Sequence, residues 1–162
     1  MRTWSKESQK KIIHPKQLED WQQRIKAQKK TIATLNGAFD ILHTGHLHIL
    51  FEASQMADTL IVALNSDMSI KKNKGDARPI NTLEKRLEML SSISFVSFVT
   101  WFEETTPISI LRLIKPNVHV NGEEYKENCI EEDIVHEMGG KVHFVKRLPK
   151  LSTTGTIQKL CD

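Results

Sequence analysis

Residues 31–50 read TIATLNGAFDILHTGHLHIL. The first six, rich in β-branched and apolar side chains, form a strand signal that ends at the turn dipeptide Asn36-Gly37. Two histidines then flank a glycine, His43-Thr44-Gly45-His46, and Leu47, Leu50, Phe51 and Ser54 continue at helical spacing. A strand, a glycine turn and a helix opening on histidines form a place for an anion. The first turn of a helix presents backbone N–H groups and the positive end of its dipole. Gly45 lets a phosphate approach the backbone, and imidazoles three residues apart share a helical face from which both can donate to phosphate oxygens. A zinc helix would space its histidines four apart around a glutamate.

Outward from this stretch, the pattern repeats. An amphipathic helix over 15–30 precedes it, with Leu18, Trp21 and Ile25 at spacings of three and four. TLIVALN (59–65) reads as a strand buried on both faces. A lysine-rich loop, KKNKGDARP (71–79), follows, and then a helix over 82–93 with Leu83, Leu87 and Leu90 on one face and Asn81 as its cap. Further strands are expected at 95–102, 117–122 and 141–145, and helices at 106–115, 129–140 and 152–160, with Pro107 near the first turn of one of them. Alternating strands and helices predict an α/β fold, a Rossmann-like doubly wound parallel sheet of five strands with helices on both faces. Ligands in such sheets bind past the carboxyl ends of the strands, at the switch point.

The chain has 162 residues, 39% hydrophobic and 27% charged, the composition of one globular domain. No apolar run reaches membrane-spanning length, and the N-terminus lacks the apolar core of a signal peptide. Cys129 and Cys161 lie far apart, so neither a disulfide framework nor a zinc site is suggested, and a reducing cytoplasm is the expected compartment. Residues 1–30 carry nine Lys/Arg against three Asp/Glu, and the remainder fourteen against seventeen. The division expected is a basic helical lead-in over 1–30 and a nucleotide-handling domain over 31–162. The lead-in has no arginine cluster and no interleaved aromatics, so it reads as a solvated helix and not as a nucleic-acid surface.

The polar residues cluster just past the strands: Asn36, Gly37, Phe39, Asp40, His43, Gly45 and His46; Asn65, Ser66 and Asp67, then Lys71, Lys72, Lys74 and Arg78; Asn121, Gly122, Glu123 and Glu124; and Arg147 with Ser152, Thr153 and Thr154. Cations of this kind suit phosphoryl and nucleotidyl transfer, where negative charge builds on the transferring phosphate. By themselves, a surface loop explains the lysines and ordinary capping explains the hydroxyls equally well.

On FDILHTGH (39–46), LIVALNSD (60–67), KGDARPIN (74–81), NGEEY (121–125) and STT (152–154), the chain resembles the nucleotidyltransferases of the cytidylyltransferase-like superfamily, whose hallmark is H-x-G-H. It is most similar there to the heptose 1-phosphate adenylyltransferases of lipopolysaccharide precursor synthesis. The resemblance covers about residues 12–160 and implies a stand-alone enzyme that joins AMP from ATP to a sugar 1-phosphate. It further implies Mg²⁺ held mainly by the nucleotide phosphates, no protein metal site, and a homodimer with no nucleic-acid or membrane partner. Under it, His43, His46 and Lys74 are catalytic. Asn36, Gly37, Ala38, Phe39, Gly45, Lys72, Arg86, Asn121, Gly122, Glu124, Ser152, Thr153 and Thr154 bind the nucleotide, Arg86 reaching the phosphates. Asp40, Asp67 and Arg78 meet the sugar phosphate. Heptose enzymes commonly read VKGGDY where this chain has VNGEEY (120–125). A CTP-dependent transfer to glycerol 3-phosphate or another polyol or sugar phosphate, and a non-catalytic nucleotide or nucleic-acid binder, are the alternatives.

Overall fold

In the computed structural model, which describes residues 1 and 3–146, the five strands lie side by side and all parallel. They are β1 (Ile32–Gly37), β2 (Thr59–Asn65), β3 (Phe98–Phe102), β4 (Val118–Gly122) and β5 (Lys141–Val145), in the order β3-β2-β1-β4-β5. Among the described residues seven α-helices accompany them: α1 (Trp4–Gln9), α2 (Leu18–Ala27), α3 (Thr44–Ser54), α4 (Asp67–Lys74), α5 (Leu83–Ser91), α6 (Ile108–Ile114) and α7 (Glu132–Glu137).

β1 and β2 bury both faces, which is why their sequences read as continuous apolar runs, whereas of the edge strand β5 only Val145 is buried. One face carries Ala33, Leu35, Leu60, Val62, Val118 and Val120 against Leu50 and Ala53 of α3 and Leu87 and Leu90 of α5. The other carries Ile32, Ile61 and Ala63 against Leu18, Trp21 and Ile25 of α2 and Ile110 and Ile114 of α6. The first residues also close the sheet's β3 edge. Val99 donates its N–H to the Lys11 carbonyl and accepts from Ile13 N–H, both at 2.8 Å. The Lys11 ammonium, its pKa lowered by burial, donates to the carbonyls of Ile93 and Val96. An edge covered in this way is closed to intermolecular pairing.

The strand order reverses at β1, which has β2 on one side and β4 on the other. β1 pairs with β2 along its whole length, to Gly37↔Leu64, but its ladder with β4 covers only Ala33↔Val118 and Thr34↔His119. Both strands run on past that point, to Gly37 and Gly122, so their carboxyl ends part and open a crevice.

Local expectations change in several places: the strand expected over 95–102 spans only Phe98–Phe102, and the helix expected over 129–140 only Glu132–Glu137. The lysine-rich segment is not a loop as far as Lys74: it forms α4, capped by Ser66, whose hydroxyl accepts from Ser69 N–H. Lys71, Lys72 and Lys74 occupy its last turn, where cations offset the negative end of the helix dipole, and Gly75 stops it at φ +88°. Asn81 does not cap α5, because its amide donates to the Asp40 carbonyl at 2.6 Å. On α3, Leu50 is buried while Leu47 and Phe51 are exposed, Phe51 meeting Phe95 edge-on. The expected closing helix lies outside the described residues.

Candidate active site

The crevice is a cavity of about 440 Å³ at the carboxyl ends of β1, β4 and β5, of a size to hold a small ligand. Its floor is the turn after β1. Phe39 sits there at φ +47°, a left-handed conformation that costs a bulky L-residue on the order of 1–2 kcal/mol. Its ring folds back over Gly37, where an added Cβ would lie 3.1 Å from the ring edge. The next residue holds the turn in place. Asp40, 2% exposed, accepts from Arg78 Nε at 2.7 Å, from Ile80 N–H at 2.9 Å and from Asn81 N–H at 2.8 Å. Burial alone would raise its carboxyl pKa. The N–H groups of Asn81 and Ile80, together with the Arg78 guanidinium, outweigh burial and hold it below the ordinary value.

From that turn the chain enters α3. His43 takes the extended N-cap conformation, and Gly45 and His46 lie in the first turn. The two imidazoles stack with centroids 3.9 Å apart and planes 21° apart, and His46 also meets the Phe39 ring at 5.2 Å. Both histidines line the cavity with Asn36, Gly37, Ala38 and Gly45. On the β2 side, Lys74 and Arg78 reach the same space. On the β4–β5 side stand Asn121, Gly122 and Glu124. A Cβ on Gly122 would collide with the Glu124 carboxylate, so glycine is what lets Glu124 fold back over the strand end. Behind it, the Asn121 amide and the Cys129 thiol point at the Glu131 carboxylate, which is 5% exposed. Burial, and then Glu131, push the Cys129 thiol up, which keeps it protonated.

Thirteen of the residues picked out in the sequence thus surround one cavity, drawn from segments up to 88 positions apart, Asn36 to Glu124. Three do not. Lys72 stands exposed on α4, away from the cavity wall. Arg86 does not reach toward the site at all. It is fully buried, its Nε donating to the Asn81 carbonyl, its Nη1 to the carbonyls of Ala38 and Asn65 at 2.7 and 2.8 Å, and its Nη2 to Asp67 at 2.7 Å. A guanidinium whose donors are spent on backbone carbonyls and a carboxylate is a clamp. It ties the ends of β1 and β2 to α5, and Asp67 is the counter-ion of that clamp and no part of the cavity wall. Ser152, Thr153 and Thr154 lie outside the described residues.

The sequence reading passed over Tyr125, His48, Ile49, Val145 and Lys146, all of which line the cavity. Lys146 had the same signal as the others, a cation directly after a strand, and Tyr125 belongs to the NGEEY turn. Among the described residues no group of three or more His, Cys, Asp or Glu side chains could hold a metal ion. Nor is any helix among them long and apolar enough to cross a membrane.

A doubly wound parallel sheet with a glycine turn and a helix N-terminus at its switch point defines a Rossmann-like domain. The model of the cytidylyltransferase-like family matches residues 34–157, and the chain belongs to that family. The bifunctional protein HldE of Hahella chejuensis is 41% identical over 136 residues, and that of Campylobacter concisus 44% over 138. These matches take in 83% and 85% of this chain but 28% of each relative, so the chain spans less than a third of the curated relatives' length. Among solved structures, the lipopolysaccharide core biosynthesis protein from Thermoplasma volcanium superposes with a TM-score of 0.61 at 28% identity, covering 74% of this chain and 97% of that one. Pantoate-beta-alanine ligase from Francisella tularensis shares the fold, with a TM-score of 0.63 at 17% identity over 93% of this chain and 79% of its own.

Proposed function

We propose that this chain transfers AMP from ATP to a sugar 1-phosphate, D-glycero-β-D-manno-heptose 1-phosphate, giving ADP-heptose and pyrophosphate. The observation that carries this reading is the stacked His43–His46 pair on the N-terminus of α3, facing Lys74 across the switch-point cavity. An oxygen of the sugar phosphate attacks the α-phosphorus. The bond from that phosphorus to the bridging oxygen breaks, and pyrophosphate leaves with the electron pair. Negative charge spreads over the equatorial and leaving oxygens as this happens. The dipole of α3, the imidazole N–H groups and the Lys74 ammonium are fixed where that charge grows, so rate comes from alignment and electrostatics, with no protein nucleophile.

Magnesium enters as part of the nucleotide substrate, carried on its phosphates. Family membership, the HldE relatives and the Thermoplasma volcanium protein named for lipopolysaccharide core biosynthesis support the sugar-nucleotide reading. The cytoplasm, where ATP is made available, is the compartment we assign, and a homodimer is the assembly, which light scattering on the purified protein checks. The test of function is pyrophosphate release with magnesium, crossing ATP, CTP, GTP and UTP with heptose 1-phosphate, hexose 1-phosphates and glycerol 3-phosphate. Release with ATP and heptose 1-phosphate supports the proposal. Release with CTP and glycerol 3-phosphate instead would replace it, and no release from any pair would refute it.

A further inference from the structure

We infer that Lys146 is a second cationic contact for the nucleotide, holding the β- and γ-phosphates that leave as pyrophosphate, on the wall of the cavity opposite Lys74. The inference rests on the transfer reading above. Lys146 follows directly on β5, whose last residue, Val145, pairs with Gly122 at the end of β4. That places it beside the Gly122–Tyr125 turn, and its exposed side chain lines the cavity. Lys74 comes from the end of α4, after β2, on the far side of β1. The His43–His46 pair lies between the two, because α3 follows β1, the central strand. Arg78, the third strong cation lining the cavity, is already paired with Asp40, whereas neither lysine makes an ion pair with a described residue.

In-line displacement explains why two cationic walls are needed. The attacking and leaving oxygens lie on opposite sides of the phosphorus, so the acceptor phosphate and the departing pyrophosphate require positive charge in opposite directions. The remaining lining decides which wall takes which substrate. A nucleotide needs a flat apolar surface for its base as well as a cation for its phosphates. The β4–β5 wall supplies both, Tyr125 and Val145 lining the cavity together with Lys146 and the Glu124 carboxylate. The β2 wall presents Lys74 and the Asp40-bound Arg78, a surface for a small polar phosphate. Lys146 therefore belongs to the nucleotide and Lys74 to the acceptor side and the transferring phosphate.

Calorimetric titration of the full chain with MgATP, magnesium pyrophosphate, AMP and heptose 1-phosphate tests this, comparing wild type with Lys146→Gln and Lys146→Arg. Loss of one charged contact weakens binding roughly ten- to a hundredfold. Lys146→Gln is expected to weaken MgATP and pyrophosphate by that factor, to leave AMP and heptose 1-phosphate unchanged, and to melt at the wild-type temperature. Lys146→Arg should restore most of the loss. Unchanged affinity for ATP and pyrophosphate, or a loss confined to heptose 1-phosphate, would overturn the assignment. A wild type that binds MgATP but releases no pyrophosphate with any sugar phosphate would refute the transfer reading while the Lys146 comparison still stood. A wild type that binds no nucleotide would end both.

Discussion

His119 gives this fold a calculable sensitivity to acid. It sits on β4 with no exposed surface, shares a 2.8 Å hydrogen bond through Nδ1 with Thr34 Oγ1, and its Nε2 meets no partner among the described residues. With no carboxylate to stabilise an imidazolium, burial pulls its pKa from 6.5 down to about 4. The unfolded chain takes up a proton near pH 6.5, whereas the folded chain resists it down to about pH 4. Over that window the unfolded state binds more protons, so stability falls as pH falls. At about 1.4 kcal/mol per pH unit, the drop from pH 7.5 to pH 5 comes to about 2 kcal/mol, or roughly 4–8 °C in melting temperature for a chain of this size. Urea unfolding at the two pH values, for wild type and for His119→Leu, isolates the effect, since other groups titrate alike in both proteins. Asp40, held below its ordinary carboxyl value, acts below this window. The variant should lose about 2 kcal/mol less than wild type between the two pH values. Equal losses, within about 0.5 kcal/mol, would show that the folded protein accommodates a charged His119 and would refute the reasoning.

On the proposed mechanism, replacing His46 by Ala removes a donor to the transferring phosphate. Turnover should fall roughly a hundred- to a thousandfold while the Kd for ATP changes far less, as steady-state rates and direct titration will show. Lys74→Ala should likewise lower kcat, yet leave urea stability within about 0.5 kcal/mol, because the side chain packs against nothing it supports. Arg86→Met should behave in the opposite way. It strands the carbonyls of Ala38, Asn65 and Asn81 and should cost about 3–5 kcal/mol of stability by urea unfolding. A stable but inactive Arg86→Met protein would restore the phosphate-contact role expected from the sequence.

The parts of the fold most legible in the sequence are those whose burial is two-sided. TLIVALN matches β2 residue for residue, because a strand covered on both faces must be apolar or small along most of its length, and KVHFV matches the half-buried edge strand β5 through its β-branched and aromatic side chains. α4 was not legible because its helicity comes from the Ser66 cap, from Ser69 bonding to the Glu104 carbonyl and from Ile70 packing, none of which leaves a period in eight residues. The candidate site was visible where residues follow strand ends, since the sheet brings those ends together. Arg86 shows the converse. An arginine at the start of a helix reads the same whether it meets phosphate or clamps the ends of two strands, and only the convergence of Ala38, Asn65 and Asp67 decides. Likewise, nothing in HVNG (119–122) distinguishes a histidine facing water from one sealed between sheet and helices.

The most direct test of the account is to supply ATP labelled at the α-phosphorus, with heptose 1-phosphate, to wild type and His46→Ala. The account predicts that the label passes into a sugar nucleotide in step with pyrophosphate release, and that His46→Ala slows both together. Label remaining in ATP, or appearing only as free AMP, would contradict adenylyl transfer.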